Sequence, residues 1–390
     1  MIRLRVDGRT FSGWTSIAVT RSIESAAAAF ELGVTSRYPG AENPIQIRPG
    51  SRCSVWIGDD RVVSGFIDAV AADYDATTLS RSVSGRSATA DLVDCSAVAA
   101  PGKWSGVTVE AIAAALAAPY GVDVVVDPGV STGGPVARHR LELGETVVES
   151  IERLAVSRGL LVTDDAAGRL VLTRAGSRRT ATALEYGANI LKGSGHVDAS
   201  GVFAEYRAKG QRAGNDQDFG AAVAAVVGTA TDPDVTARAR VLILPSEKTM
   251  TTADAKKRAE FEAATRAGRS IQAQYTVAGW RDAAGDLWTP NTLIEVRDPV
   301  LGIAGELLIA EVVLTLDDGG ALAVLTVAPA AGYRPDPLQL ASKRGGVRAA
   351  SGLWQEIAGG VTVRGVGATK AQARAKATPG GKAAANDGDE

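Results

Sequence analysis

Two stretches that read alike decide the fold: Val62-Val63-Ser64-Gly65-Phe66-Ile67-Asp68-Ala69-Val70 and Leu307-Leu308-Ile309-Ala310-Glu311-Val312. Laid over one another, Ile67 falls on Ile309, Val70 on Val312, Tyr74 on Leu316 and Asp75 on Asp317. Upstream, Pro49 precedes Val55 by six residues and Pro290 precedes Val296 by the same six. A one-residue shift after the turn brings Leu79 onto Leu322. Each copy reads as a strand, a turn, a strand centred on the isoleucine, a turn opened by the aspartate, and a last strand. The chain is therefore expected to hold two related β-barrel domains. Three such chains in a ring would present six similar faces, a way of adapting three-fold to six-fold symmetry.

Working outward, residues 1–90 read as the first β-barrel domain. Ile2, Leu4 and Val6 alternate before the turn pair Asp7-Gly8, Ile17 and Val19 alternate next, and Cys53, Val55 and Ile57 alternate before Gly58-Asp59-Asp60. Leu79 to Val83 closes the group. The period then changes, and residues 91–184 read as a smaller α+β domain. One helix places Val109, Ile112, Ala113 and Leu116 on one face behind the N-cap candidate Thr108, with Gly121 as its stop. Val122 to Val126 reads as a buried strand. A second helix is expected over about 145–157, ended by Gly159. Leu160 to Thr163 and Arg169 to Leu172 then flank an Asp-rich turn as a β-hairpin.

Residues 185–270 read as strands plus one helix, a linking segment. Val202, Ala204, Tyr206 and Ala208 alternate, Val241 to Leu244 continues the pattern, and Gly210 to Phe219 reads as an exposed loop. Thr252 is taken as the helix cap, Ala255, Ala259 and Ala263 as its small-residue stripe, and Gly268 as its end. Residues 271–335 are the second β-barrel domain, with strands contributed from 185–250. Residues 336–390 form a low-complexity basic tail. After residue 340 it carries eight Lys and Arg against four acids and almost no large apolar side chain beyond 368, too little to offset its ordering entropy. The fold class is thus mainly β with an α+β insertion: two related β-barrel domains plus a smaller α+β domain in a multi-domain chain.

Composition narrows the function classes. The 390 residues carry 42 Lys and Arg against 44 Asp and Glu, a net charge of −2, which argues against whole-protein docking on nucleic acid or an anionic membrane. The opening Met1-Ile2-Arg3-Leu4-Arg5 alternates apolar and basic residues and does not read as the continuous apolar core of a secretory signal, and no stretch approaches a membrane span; Leu307 to Leu316 comes nearest and is interrupted by Glu311. The two cysteines, Cys53 and Cys95, are too few for a disulfide scaffold or a thiolate metal cage and read as buried small apolar residues.

A search for chemistry yields no catalytic, cofactor-binding or metal site. His139 and His196 are the only histidines, which excludes a multi-histidine metal centre. His139, between Arg138 and Arg140, reads as a solvated loop residue whose neighbours disfavour its charged form. Gly193-Ser194-Gly195-His196 lacks the Gly-x-Ser-x-Gly spacing of a nucleophile elbow and reads as a plain turn. Gly380-Gly381-Lys382 is followed by Ala383, so no phosphate loop is present. The pairs Asp59-Asp60, Asp164-Asp165 and Asp317-Asp318 all fall in expected turns, where aspartate bonds its own backbone.

Particular residues carry a family resemblance. Phe11-Ser12-Gly13-Trp14-Thr15-Ser16, Thr20-Arg21-Ser22-Ile23-Glu24-Ser25, Phe30-Glu31-Leu32 and Gly85-Arg86-Ser87-Ala88-Thr89-Ala90-Asp91-Leu92-Val93-Asp94-Cys95 resemble the baseplate hub proteins of Mu-like contractile-tailed phages. Gly279-Trp280 followed by Leu287-Trp288-Thr289-Pro290-Asn291 is similar too, so the likeness spans about residues 1–335. It implies a non-catalytic structural role without cofactors: a homotrimer at the centre of the baseplate. One face would meet the tail tube protein and the other the central spike protein, with further baseplate (wedge) proteins around it. No nucleic-acid binding and no membrane insertion are expected. The protein would be assembled in the host cytoplasm and reside in the virion. Trp280 and Trp288 are expected to pack inside the second barrel. Two alternatives share the composition: a tail-associated cell-wall hydrolase, and the hub of a tailocin or secretion-system particle.

Overall fold

The computed structural model describes residues 1–36, 47–76, 79–211, 226–233, 235, 238–317 and 319–335. The tail from 336 and the expected loop from 212 to 219 lie outside the described residues, as does Asp318; Gly210 itself pairs with Val226 at the end of a strand.

The first repeat is built from β1 (Ile2–Val6), β2 (Arg9–Phe11), β3 (Ser16–Ser22), β4 (Ala29–Ser36), β5 (Arg52–Ile57), β6 (Asp60–Tyr74) and β7 (Leu79–Ser87). The intervening α+β unit contains α1 (Ala90–Asp94), β8 (Lys103–Trp104), α2 (Val109–Ala117), β9 (Val124–Val126), β10 (His139–Arg140), α3 (Val147–Val156), β11 (Leu161–Asp164) and β12 (Leu170–Thr173). The short strands β13 (Arg178–Arg179) and β14 (Leu184–Glu185) lead into β15 (Ile190–Val197). A three-stranded sheet follows, β16 (Glu205–Gln211), β17 (Val226–Thr231) and β18 (Val241–Thr249), covered by α4 (Thr252–Arg269). The second repeat is completed by β19 (Ile271–Ala278), β20 (Thr292–Asp298), β21 (Ile303–Asp317) and β22 (Gly320–Ala328).

The repeat holds at the level of strand register. In β5–β6, Arg52, Cys53 and Val55 face Phe66, Gly65 and Val63; in β20–β21, Leu293, Ile294 and Val296 face Leu308, Leu307 and Gly305. Val55 and Val296 are therefore equivalent. In β6–β7, Ile67 faces Gly85, Asp68 is skipped, and Ala69 faces Ser84. In β21–β22, Ile309 faces Val327, Ala310 is skipped, and Glu311 faces Thr326. The long strand of each copy thus carries a one-residue bulge immediately after its isoleucine, a device that bends a strand and re-aims its side chains. The register corrects one detail. Tyr74 pairs with Leu79 and Leu316 with Ala321, so Leu79 corresponds to Ala321 and the shift onto Leu322 is not needed.

Volume is exchanged across one cross-strand pair. Phe30 faces Gly85 in the first repeat, and the equivalent pair in the second is Ala273 facing Val327. A Cβ on Gly85 would lie 2.7 Å from the Phe30 ring, so the ring occupies the space that Val327 fills in the other copy. All four positions are buried. Total side-chain volume at the site is shared differently while the packing demand stays the same.

Among the described residues both repeats belong to one 14-stranded sheet, and its ladders join the two halves through β3 and β21. One hydrophobic cluster takes Leu4, Leu32, Val55 and Ile67 from the first repeat and Tyr275, Ile294, Ile309 and Leu325 from the second. The α+β unit has its own core, in which Ile112 and Leu116 of α2 meet Ile151 and Leu154 of α3. Thr146 caps α3 in a capping box with Glu149, and Gly121 and Gly159 both take left-handed φ after their helices. The buried strand expected over 122–126 is short and half-buried, Val124–Val126, paired in parallel with β12.

Two details of α4 differ from the sequence reading. Thr251, not Thr252, is the cap, because its hydroxyl accepts from Asp254 N while the Asp254 carboxylate accepts from Thr251 N. Gly268 lies inside the helix and is buried; a Cβ there would sit 2.3 Å from Gly332 N, so it permits the turn at 330–333 to pack against the helix.

Candidate assembly interface

Strand β3 belongs to both repeats at once. Along one edge Ile17 and Val19 pair with Leu32 and Phe30 of β4; along the other they pair with Leu316 and Leu314 of β21, and Arg21 pairs with Val312. The alternation that makes Ile17 and Val19 legible as a strand also turns both into the shared core, where each buried side chain contributes roughly 1.5–3 kcal/mol. Arg281 adds a polar tie between the copies, its guanidinium donating to the Asp60 carboxylate at 2.5 Å.

The α+β unit is pinned to both repeats. Asp164 ends β11 and is buried, its carboxylate accepting from Ala28 N at 3.0 Å, while Arg21 donates to the Asp164 carbonyl at 3.2 Å. Burial pushes the Asp164 carboxyl above the ordinary range, opposed by the Arg21 charge and the hydrogen bonds from Ser87 and Ala28. Only Asp165 of that pair occupies the turn, so the reading of both as turn residues is corrected. On the second repeat, Asn291 donates to the Arg174 carbonyl at 2.9 Å and accepts from Gly176 N at 2.8 Å. Beside the seam, Glu24 and Glu311 are raised above the ordinary carboxylate range. Burial is the larger cause for both; Arg269 partly offsets it at Glu24, and the Glu24 charge adds to it at Glu311.

Among the described residues, the large sheet has uncovered edges at β15 and along the second half of β6. β15 is the terminal strand of the large sheet, paired only with β19. The second half of β6, Ala69–Tyr74, is paired only with β7. Both edges carry exposed apolar side chains: Tyr74 is 84% and Val197 61% exposed. Exposed edges of this kind are templates for further strands.

The residues singled out for chemistry are dispersed. His139 is not in a solvated loop: it is 6% exposed, its Nε2 lies 2.9 Å from Ser150 Oγ, and its ring is 5.8 Å from that of Trp104. Burial, and then the Arg153 charge, lower its pKa to about 4. Gly193 to His196 is not a turn but the middle of β15. Cys53 is buried, with burial pushing its thiol up to about 12, whereas Cys95 is only half-buried. Trp288 is buried and Trp280 half-buried against the large core, Trp280 donating to the Thr315 carbonyl at 2.9 Å. Among the described residues no group of three or more His, Cys, Asp or Glu is placed to hold a metal ion, and no helix is long and apolar enough to cross a membrane. Sequence reasoning missed the ties through Arg21, Asp164 and Asn291, because polar contacts between distant segments leave no periodic signal. The edge at β15 was obscured by glycines, which read as a turn.

Comparison with known proteins places this architecture. The chain is 38% identical over 341 residues to baseplate hub protein gp44 of Escherichia phage Mu, a match covering 85% of this chain and 88% of that protein. The chain belongs to the Mu-like baseplate hub protein family. Family models match three segments: the Mu phage baseplate assembly protein GpP-like N-terminal domain matches residues 1–87, the second domain of baseplate hub protein gp44-like chains matches 89–174, and the fourth domain of Mu phage baseplate assembly protein GpP matches 251–336. The crystal structure of the 43 kDa tail protein of prophage MuSo2 from Shewanella oneidensis is similar, at 35% identity and a TM-score of 0.76, covering 86% of this chain and 99% of that one. The tail protein from Neisseria meningitidis MC58 shares the fold at 22% identity and a TM-score of 0.69, covering 86% and 98%. As a member of the baseplate hub family the chain is a structural component of a phage tail and not an enzyme.

Proposed function

We propose that three copies of this hub form a ring at the centre of the baseplate, in which the two repeats of each chain present six similar faces. One side of the ring would receive the hexameric tail tube and the other the trimeric cell-piercing spike, with other baseplate proteins around it, after assembly in the host cytoplasm. Residues 1–90 and 271–335, the latter with strands contributed from 185–250, supply the two repeats, 91–184 is the α+β unit, and the rest of 185–270 links them. The observation that carries this reading is the register-level repeat, down to the bulges at Asp68 and Ala310. A single chain has no intrinsic need to build one bent sheet module twice; an adaptor between three-fold and six-fold partners does. Native mass measurement tests it: a species near three times 40.0 kDa supports the ring, and a stable monomer across the micromolar range in the presence of spike refutes it.

A further inference from the structure

The seam inside the chain specifies the seam between chains. We propose that the free edge of β6, Ala69–Tyr74, pairs antiparallel with β15 of a second copy, in the register that β21 and β3 use within one chain. This rests on the ring reading above and names the contact that closes it.

The correspondence follows from the ladders. β6 is the counterpart of β21, with Val70, Ala72 and Tyr74 standing where Val312, Leu314 and Leu316 stand. β15 is the counterpart of β3. Val19 pairs with Phe30 and Gly195 with Ala273, and Phe30 and Ala273 are equivalent, so Ile17, Val19 and Arg21 correspond to Gly193, Gly195 and Val197. Within the chain, β21 meets β3 through Leu316 with Ile17, Leu314 with Val19, and Val312 with Arg21. The same register between copies sets Tyr74 opposite Gly193, Ala72 opposite Gly195, and Val70 opposite Val197. On the other face it sets Ala71 opposite His196 and Asp73 opposite Ser194.

The side chains at these positions suit the pairing, although the register was derived without them. Val70 and Val197, half-buried and 61% exposed, would cover each other, and the exposed Tyr74 ring would pack on Tyr275 and Leu301, whose side chains fill the space beside Gly193 and Gly195. A Cβ on Gly193 would point toward Tyr275 and one on Gly195 toward Leu301, so these glycines share the core face, as Ile17 and Val19 do. The two edges differ, so each copy offers one of each. That heterologous contact, repeated with rotation, closes a ring or runs on as a filament.

Directly opposed residues in antiparallel strands have Cα atoms about 4.5–5.5 Å apart, within disulfide reach, whereas diagonal neighbours lie about 7–8 Å apart. The test therefore uses the full chain with Cys95→Ser, buried Cys53 being left in place. One variant adds Ala71→Cys with His196→Cys; the register control adds Ala71→Cys with Ser194→Cys. Both are oxidised mildly and run without reductant, and native mass is measured in parallel. A linked trimer at least ten-fold more abundant in the first variant supports the proposal. Trimers by native mass with no linkage, or with equal linkage in both variants, overturn the proposal and leave the ring reading standing. Monomers at every concentration overturn both, and linked species continuing past three copies overturn the closed ring.

Discussion

Exchanging the packing pair of one repeat for that of the other tests whether the two modules solve one packing problem. Phe30 with Gly85 and Ala273 with Val327 occupy equivalent places. Gly85→Val alone puts its Cβ 2.7 Å from the Phe30 ring and 2.2 Å from the Phe66 carbonyl oxygen, an overpacking expected to cost about 1–3 kcal/mol or more. Phe30→Ala alone empties a site that is almost fully buried, a loss of about 3–5 kcal/mol. If the two changes were independent, the double variant would lose about 4–8 kcal/mol, the sum of those ranges. Because valine would grow into the space the ring leaves, the double variant should be about 1–3 kcal/mol more stable than that sum. It should not regain wild-type stability, since the contact with the Phe66 carbonyl remains. Hydrogen exchange of peptides covering β4 and β7 across a urea titration reads the local stability of all four chains. A double variant equal to or worse than the sum would refute the equivalence of the two sites.

Three further outcomes are expected. Folding holds His139 neutral, so the stability it supports is complete above the ordinary imidazole value of 6.5 and is lost as pH falls toward about 4; the total is on the order of 3 kcal/mol and is read by acid titration of the α+β unit. Glu311 is raised by burial and by Glu24, so its ionised form penalises the folded state above its own pKa and the penalty fades as pH falls through it. Glu311→Gln should then raise the melting temperature at pH 8, with a smaller gain near pH 4.5; a lower melting temperature at pH 8 contradicts the assignment. Gly268→Val should force the turn at 330–333 away from α4, costing about 1–3 kcal/mol in thermal melts, whereas Ala263→Val on the same helix should cost less.

Much of the fold was legible because it rests on periodicity. The pattern around Ile67 and Ile309 survives translation into ladders, and the bulge that follows each isoleucine leaves the apolar alternation readable on both sides. Thr108 stands at the N-cap position of α2, though its side chain makes no capping hydrogen bond, and the hairpin across 161–173 was equally open to reading. The joining of both repeats through β3 was not, because which edges pair is decided by segments hundreds of residues apart. His139 misled for a similar reason: flanking arginines suggest water, but backbone direction turns the ring inward against Trp104 and Ser150. Gly193 and Gly195 carried turn chemistry in sequence, yet they lie in a strand with no side chains of their own to advertise it.

Electron microscopy of the purified assembly, classified without imposed symmetry, measures the central claim most directly. Axial views should show three chains forming six lobes at nearly equal radius, the repeats at Ile67 and Ile309 alternating about 60° apart, as six positions around one axis require. Lobes at two different radii, or any copy number other than three, would contradict the account.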